Sequence, residues 1–272
     1  MHILITGGAG FIGANLAAAL IRDGYQVTLY DNLSRPGAAH NLAWLTTQFG
    51  SDKVVLRKGD IRDATGTAQA LADADAIIHL AGQVAVTTSV VNPREDFDIN
   101  ALGTFNVLEA ARTSGKNPIL LYSSTNKVYG GMDDITVVED ATRYRYRDLP
   151  RGVTEAQPLD FHSPYGCSKG TGDQYVRDYY RIYDLRTMVF RQSAIYGPRQ
   201  FGVEDQGWAA HFIIATQLGR PLSIYGDGKQ VRDLLYVDDL VNAYRSAIAR
   251  IDVVAGEIFN IGGGPEIGRA HV

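Results

Sequence analysis

Gly7, Gly10 and Gly13 stand three residues apart, directly after the apolar run 2–6 and at the head of the apolar stretch 11–21. Strand, glycine turn and helix in that order form the βα unit that receives a dinucleotide. Gly7 permits the tight turn. Gly10 lets the backbone approach a pyrophosphate, and Gly13 lets the helix pack on the strand. The first helical residues, Phe11 and Ile12, present free N–H groups and the positive dipole end to the same phosphates. A plain glycine-rich turn would need neither the strand nor the helix beside it.

A second strand, 26–30, ends at Asp31. A carboxylate about 20 residues beyond the glycines accepts hydrogen bonds from an adenosine ribose and repels a 2′-phosphate, which favours NAD over NADP. The nearby Arg35 blurs that preference. A short helix at 41–48 and a third strand at 53–58 follow. Asp60 then suits either an adenine contact or a helix N-cap. The fourth strand, 75–80, has the continuous apolar centre of a strand buried on both faces. It runs into Ala81 and Gln83, beside the course expected for the cofactor. Residues 97–112 carry helical periodicity interrupted by Asn100, which can tie two elements together or position a water chain. The fifth strand, 118–122, ends in Ser123, Ser124 and Thr125, hydroxyls on the side of a parallel sheet where ligands bind.

Residues 132–161 are polar and charged and read as an irregular insertion over the site. A long helix then begins near Pro164, a residue tolerated at a helix start, and runs to about 183. Tyr165 and Lys169, four apart, share its face. A phenol with a pKa near 10 is a poor base at neutral pH, and a neighbouring ammonium would lower it. On their own the two read first as a surface tyrosine and lysine that merely share a helix, and the rest of the chain has to decide. A sixth strand at 187–191, a helix at 208–218, short strands at 222–225 and 230–234, a helix at 238–249 and a last strand at 257–261 complete the reading.

The alternation predicts an α/β fold, a Rossmann-like doubly wound parallel sheet with a smaller C-terminal substrate-binding portion that reads as truncated. Residues 1–197 are expected to be mainly the cofactor domain, and 198–265 a partial substrate portion interleaved with the last sheet elements. With 272 residues and 45% hydrophobic content the chain can build a full core. A net charge of −4 and no long basic run speak against nucleic acid or an anionic membrane as partner. The single cysteine, Cys167, excludes internal disulfides and fits a reducing compartment. With no leader-like start and no apolar run near the roughly 20 residues of a membrane span, a cytoplasmic protein is expected. No metal is expected.

Residues 6–13, Thr125, the Tyr165/Lys169 pair and the run Gln-Val-Arg-Asp at 230–233 together resemble the extended short-chain dehydrogenase/reductases, the NAD-dependent epimerases and dehydratases of nucleotide-linked sugars. The resemblance extends to about Gly264. Stretches 31–35, 123–130, 159–169 and 205–208 further resemble the subgroup of CDP-paratose (CDP-tyvelose) 2-epimerases, which interconvert CDP-linked dideoxyhexoses of lipopolysaccharide O-antigen at carbon 2.

The resemblance implies bound NAD and transient oxidation of the sugar to a ketone that is reduced again from its other face. Tyr165 would take and return the proton, Thr125 would hold the reacting oxygen, and Lys169 would bind the nicotinamide ribose and depress the Tyr165 pKa. Gly7, Gly10, Phe11, Ile12, Gly13, Asp31, Asn32, Asp60, Ile61, Ala81, Gln83 and Asn100 would contact the cofactor. Gln206 and Arg232 would contact the substrate, Arg232 through its planar fork of donors to the pyrophosphate. A homo-oligomer is also implied. The family's dehydratases carry Asp and Glu directly after the catalytic Thr, where this chain has Asn126 and Lys127. A UDP-sugar 4-epimerase uses the same chemistry and stays open. An inactive NAD-binding sensor is a further alternative, against which the intact Thr, Tyr and Lys speak. Residues 266–272 match one translation of a common sequencing-adapter read, so a non-native tail on a truncated gene is expected.

Overall fold

The computed structural model describes residues 1–204 and 206–264, so Asp205 and the expected non-native tail, 266–272, lie outside the described residues. The strands are β1 (His2–Thr6), β2 (Gln26–Asp31), β3 (Val55–Lys58), β4 (Ala76–His79), β5 (Ile119–Thr125), β6 (Val137–Glu139), β7 (Tyr144–Tyr146), β8 (Thr187–Gln192), β9 (Ala194–Tyr196), β10 (Leu234–Tyr236) and β11 (Ile258–Ile261). The helices are α1 (Phe11–Arg22), α2 (Ala38–Phe49), α3 (Ala64–Leu71), α4 (Val86–Val91), α5 (Pro93–Phe97), α6 (Gly103–Thr113), α7 (Ser163–Tyr183), α8 (Trp208–Gln217), α9 (Val237–Ala249) and α10 (Ile251–Val254).

Seven strands form one sheet in the order β11-β8-β5-β4-β1-β2-β3, with every neighbouring pair parallel. The connections reverse direction between β1 and β4, and in such sheets ligands lie at that switch point, beyond the carboxyl ends of the strands. The central strands are apolar along their length because both faces are covered. Leu16 and Leu20 of α1 and Leu240 and Tyr244 of α9 pack on one face. Leu71, Val107, Leu108 and Val176 from α3, α6 and α7 pack on the other. None of the described helices is long and apolar enough to cross a membrane.

Three expectations change. The helix expected over 97–112 is not continuous: α5 and α6 are joined by a π-helical turn, Asp98–Leu102. Just beyond it, on α6, the Thr104 hydroxyl donates back to the Asn100 carbonyl of the turn at 2.6 Å, an alternative to a regular backbone bond. The strands expected at 222–225 and 230–234 do not form. Leu222, Ile224 and Tyr225 are exposed, and only Leu234–Tyr236 pairs, with β9; a strand needs a partner edge, and apolar residues alone do not supply one. The insertion is less irregular than expected, because β6 and β7 form an antiparallel hairpin. It docks on the 227–229 turn through the Tyr144 N–H to the Lys229 carbonyl (3.0 Å), the Tyr144 hydroxyl to Asp227 (2.7 Å) and a Lys229–Glu139 ion pair.

The glycine turn is close-packed. Gly7 has φ +68°, and a Cβ on Gly13 would stand 2.3 Å from the Gly7 carbonyl oxygen. The approach is backbone to backbone, so neither side can yield cheaply. Gly13→Ala should therefore lower unfolding free energy by about 1–3 kcal/mol and loosen the turn. Urea unfolding and the NAD content of the purified variant would show it; wild-type values for both would contradict this account of the packing.

Candidate active site

The carboxyl ends of β4, β5 and β8 and the start of α1 surround a cavity of about 230 Å³. Its wall includes Phe11 and Ile12 from the start of α1, Ser123, Ser124 and Thr125 from β5, and Tyr165 and Lys169 from α7. The sequence-expected catalytic trio therefore shares one cavity with the head of the dinucleotide turn. α7 begins as expected around Pro164. Ser163 before it has φ +67°, an uncommon conformation for a residue with a side chain. Ser89 on α4, which sequence reasoning missed, accepts the Tyr165 backbone N–H at 3.1 Å and so fixes the first turn beneath the phenol.

Tyr165 and Lys169 are both buried. The Thr125 hydroxyl stands close enough to the phenol to favour its ionised form. Lys169 donates to the Ser123 carbonyl at 2.5 Å, with its Nζ 4.3 Å from the centre of the Tyr122 ring. The expected depression of the Tyr165 pKa by Lys169 is not what the protein's own groups produce. Burial pushes the phenol up to about 12, the nearby Thr125 hydroxyl only partly opposes that, and the Asp96 charge adds to it. Burial likewise pulls the Lys169 ammonium down to about 7, against the favourable fields of Asp173 and Asp96. In the free protein burial therefore favours the neutral phenol and weakens the Lys169 ammonium, and a bound positive charge would favour the phenolate.

These shifts give stability a pH dependence. Between about pH 7 and the ordinary lysine value of 10.5 the unfolded chain binds a proton at Lys169 that the folded chain has lost. Stability therefore rises with pH across that window, by on the order of a few kcal/mol. Tyr165 acts in the next window: between about pH 10 and 12 the folded chain keeps a proton the unfolded chain loses, so its contribution falls. Urea unfolding at pH 7, 8.5 and 10 should show the rise, and Lys169→Met should flatten it; the same slope in both proteins would refute the assignment.

The turn fits a dinucleotide. Gly10 caps α1 without a side-chain hydrogen bond, and no acidic residue sits in the helix's first turn, so its N–H groups are left for phosphate. A Cβ on Gly10 would stand 3.1 Å from the Gly7 carbonyl oxygen. Asp31 ends β2 beside this turn and accepts N–H groups from Ala9 (3.0 Å) and Leu33 (2.8 Å), with lone pairs left for ribose hydroxyls. Asn32 donates to Asp60 at 2.9 Å, and Arg62 grips the same carboxylate and holds its pKa at about 2. Asp60 is not the N-cap: Asp63 caps α3 by accepting the Gly66 N–H.

Other expected contacts lie further back. Ala81 donates its N–H to the Thr6 hydroxyl at 3.2 Å, directly against Gly7. Ile61 is packed in the core against Gly103. The Gln83 side chain turns onto Ala85. Asn100 is buried and exchanges hydrogen bonds with the Gln83 backbone, Asp96 and Ser168. Its contacts are those of a tie between β4, the π turn and α7. Gln206 lines the cavity and accepts from the Arg35 guanidinium. Arg232 is exposed and outside the cavity wall; it stands close enough to Lys127 to lower that residue's pKa, second to burial.

Sequence reasoning also missed the ion pair beneath the site. Asp173 on α7 and Arg191 on β8 are both buried and paired through two bonds of 2.9 and 2.8 Å. Asp173 also accepts the Ser124 hydroxyl at 2.7 Å. Tyr165, Lys169 and Asp173 fall at intervals of four along one helix face, a signal that was available. Asp96, which takes a 2.5 Å bond from Ser168, carried no comparable mark.

Comparison with known proteins agrees with this geometry. A CDP-paratose 2-epimerase of Salmonella typhi is 47% identical over 97% of this chain and 79% of its own. A UDP-glucose 4-epimerase of Thermotoga maritima, solved with UDP-glucose, superposes with TM-score 0.80 at 32% identity, over 96% of this chain and 77% of that one. A dTDP-glucose 4,6-dehydratase of Streptomyces venezuelae, solved with NAD, gives TM-score 0.80 at 31% identity over 97% and 76%. The model of the NAD-dependent epimerase/dehydratase family matches residues 3–262. With the glycine turn, the parallel sheet and the Thr125–Tyr165–Lys169 cluster meeting at one cavity, the chain belongs to the NAD-dependent epimerase/dehydratase family.

Proposed function

We propose that the chain epimerises a CDP-linked dideoxyhexose, CDP-paratose or CDP-tyvelose, at carbon 2 of the sugar. The observation that carries epimerisation over dehydration is the cavity wall. Among the described residues it holds Tyr165, Lys169 and Thr125 but no carboxylate and no imidazole. Eliminating water needs an acid and a base besides the phenol; Asn126 and Lys127, next to Thr125, supply neither carboxylate. A reaction that only removes and restores hydrogen at one carbon needs, besides the hydride acceptor that NAD would supply, no acid or base beyond the trio. The choice of CDP-sugar rests on the 47% identity with the Salmonella typhi enzyme.

The glycine turn, the start of α1, Asp31 and Lys169 would hold the NAD. Bound NAD supplies a reversible hydride acceptor and, when oxidised, a positive charge. Tyr165 takes the hydroxyl proton as the ketone forms and returns it after the sugar has presented its other face. Thr125 fixes the reacting oxygen against the phenol, and burial of the trio excludes water from the ketone. Arg232 and Lys127, whose ammonium is disfavoured by burial and then by the Arg232 charge, are suited to the diphosphate.

In the proposed division, 1–197 carries the cofactor and 198–265 supplies the sugar side of the cavity. The exposed aromatic face of α6 and α7, with Phe105, Tyr175 and Tyr183, supports a homo-oligomer, and the lone Cys167 suits a cytoplasmic setting. The decisive assay feeds CDP-tyvelose and UDP-glucose separately and follows inversion by NMR. Inversion at carbon 2 of the CDP-sugar is expected. Inversion only at carbon 4 of the UDP-sugar would replace this reading with a 4-epimerase, and NAD binding without turnover of either would indicate a sensor.

A further inference from the structure

The cavity has a second polar wall that the reaction as described leaves unused. The Ser193 hydroxyl, the Gln200 carbonyl oxygen and the Trp208 indole N–H are each buried and have no hydrogen-bond partner among the described residues. All three residues line the cavity that holds Thr125 and Tyr165. A buried polar atom without a partner costs about 1–3 kcal/mol, so three around one cavity is a large debt unless a ligand fills it.

The local structure holds them there. Ser193 directly follows β8, its N–H tied to the Ile261 carbonyl at 3.0 Å. Gln200 donates its amide N–H to the Ile195 carbonyl at 3.0 Å, which leaves its oxygen as the open end. Trp208 begins α8 after Gly207, and its ring sits edge-on to Phe212 at 5.6 Å. Gly207 has φ +75°, and a Cβ there would meet the Gln200 amide at 2.7 Å. One glycine therefore lets the loop close against the Gln200 amide directly before Trp208.

The three atoms are an acceptor, a donor and a hydroxyl that can be either, and none is charged. A phosphate offers only acceptors, so it could not satisfy the Gln200 oxygen. Hydroxyls and ether oxygens offer both. From this we infer that Ser193, Gln200 and Trp208 form the specificity wall for the sugar: Gln200 accepts from a non-reacting hydroxyl, Trp208 donates to an oxygen of the same ring, and Ser193 completes the set. This rests on the proposed nucleotide-sugar reaction and adds which residues orient the sugar while Tyr165 and Thr125 act on it.

The test compares binding of a nucleotide sugar with binding of its bare nucleotide, by calorimetry on the NAD-loaded full chain. The variants are Trp208→Phe, Gln200→Met and Ser193→Ala, which keep shape and remove the polar atom. Each should weaken binding of CDP-tyvelose about tenfold or raise its KM by as much, while affinity for CDP stays at the wild-type value. Equal losses for CDP and CDP-tyvelose would overturn the inference, because the residues would then be holding the nucleotide or the loop. So would unchanged binding of both. Running UDP-glucose and UDP in parallel separates the two levels: a wild type that takes only the UDP pair refutes the CDP-sugar reading, and the wall is then judged on that pair. A wild type that binds neither sugar overturns both.

Discussion

Tyr165→Phe should lower turnover by about 10²–10⁴-fold, the range in which a positioned acid–base group contributes, while the fold and the bound NAD are retained. The two side chains differ by one oxygen. The ring itself is buried at the head of α7, and the backbone beneath it is held by the Ser89 hydroxyl rather than by the phenol. What the variant loses is the one phenol on the cavity wall among the described residues. No other group on the cavity wall replaces it: Lys169 is turned to the Ser123 carbonyl, and among the described residues the wall has no histidine or carboxylate. His79 lies close by in sequence order along β4, but both its ring nitrogens are engaged, by Thr6 and Thr104, and burial lowers its pKa to about 3. Turnover measured with the substrate that the wild type accepts, together with NAD released from the denatured variant, checks both halves. Activity within tenfold of wild type would remove Tyr165 from the chemistry, and loss of NAD would make it a binding residue.

The parts of this site that were legible in the sequence are those encoded locally. The glycine turn needs φ > 0 at Gly7 and bare backbone at Gly13, and both requirements fall within a few residues of chain. Tyr165 and Lys169 could be placed on one face because a helix repeats every 3.6 residues. The strands that lie inside the sheet were legible too, since burial on two faces leaves an apolar run. What escaped depends on partners distant in sequence. Asn100 reads as a flaw in a helix until Gln83 and Ser168 stand around it. The runs near 224 and 230 have strand-like residues but no edge to pair with. The sequence shows for Tyr165 only the charge four residues away, whereas the larger effect on its pKa is the burial supplied by the rest of the fold. The unpaired atoms of Ser193, Gln200 and Trp208 are visible only as the contents of one cavity.

Asp173→Ala should destabilise the chain by about 3–5 kcal/mol, because it strands the buried Arg191 guanidinium. For a protein of this size that is a fall of roughly 6–20 °C in Tm. Burial disfavours the Arg191 cation, yet its pKa stands above the ordinary value because the Asp173 bonds outweigh burial, with a smaller contribution from the Tyr129 hydroxyl at 3.0 Å. Without Asp173 that balance reverses. The same carboxylate receives the Ser124 hydroxyl, one residue before Thr125, so the damage reaches the end of β5 that carries the hydroxyl proposed to hold the reacting oxygen. Stability and turnover are therefore expected to fall together. Two mechanisms could produce such a fall, and a double variant separates them. If the cost is the unpaired charge, Asp173→Ala with Arg191→Met removes its source, and Tm should recover by more than half of what the single variant lost. If the cost is lost packing at Asp173, the double variant should be no more stable than the single. The first outcome would also restore stability without restoring the Ser124 bond, so a double variant that is stable yet still slow would assign to Asp173 a positioning role separate from its role in the fold.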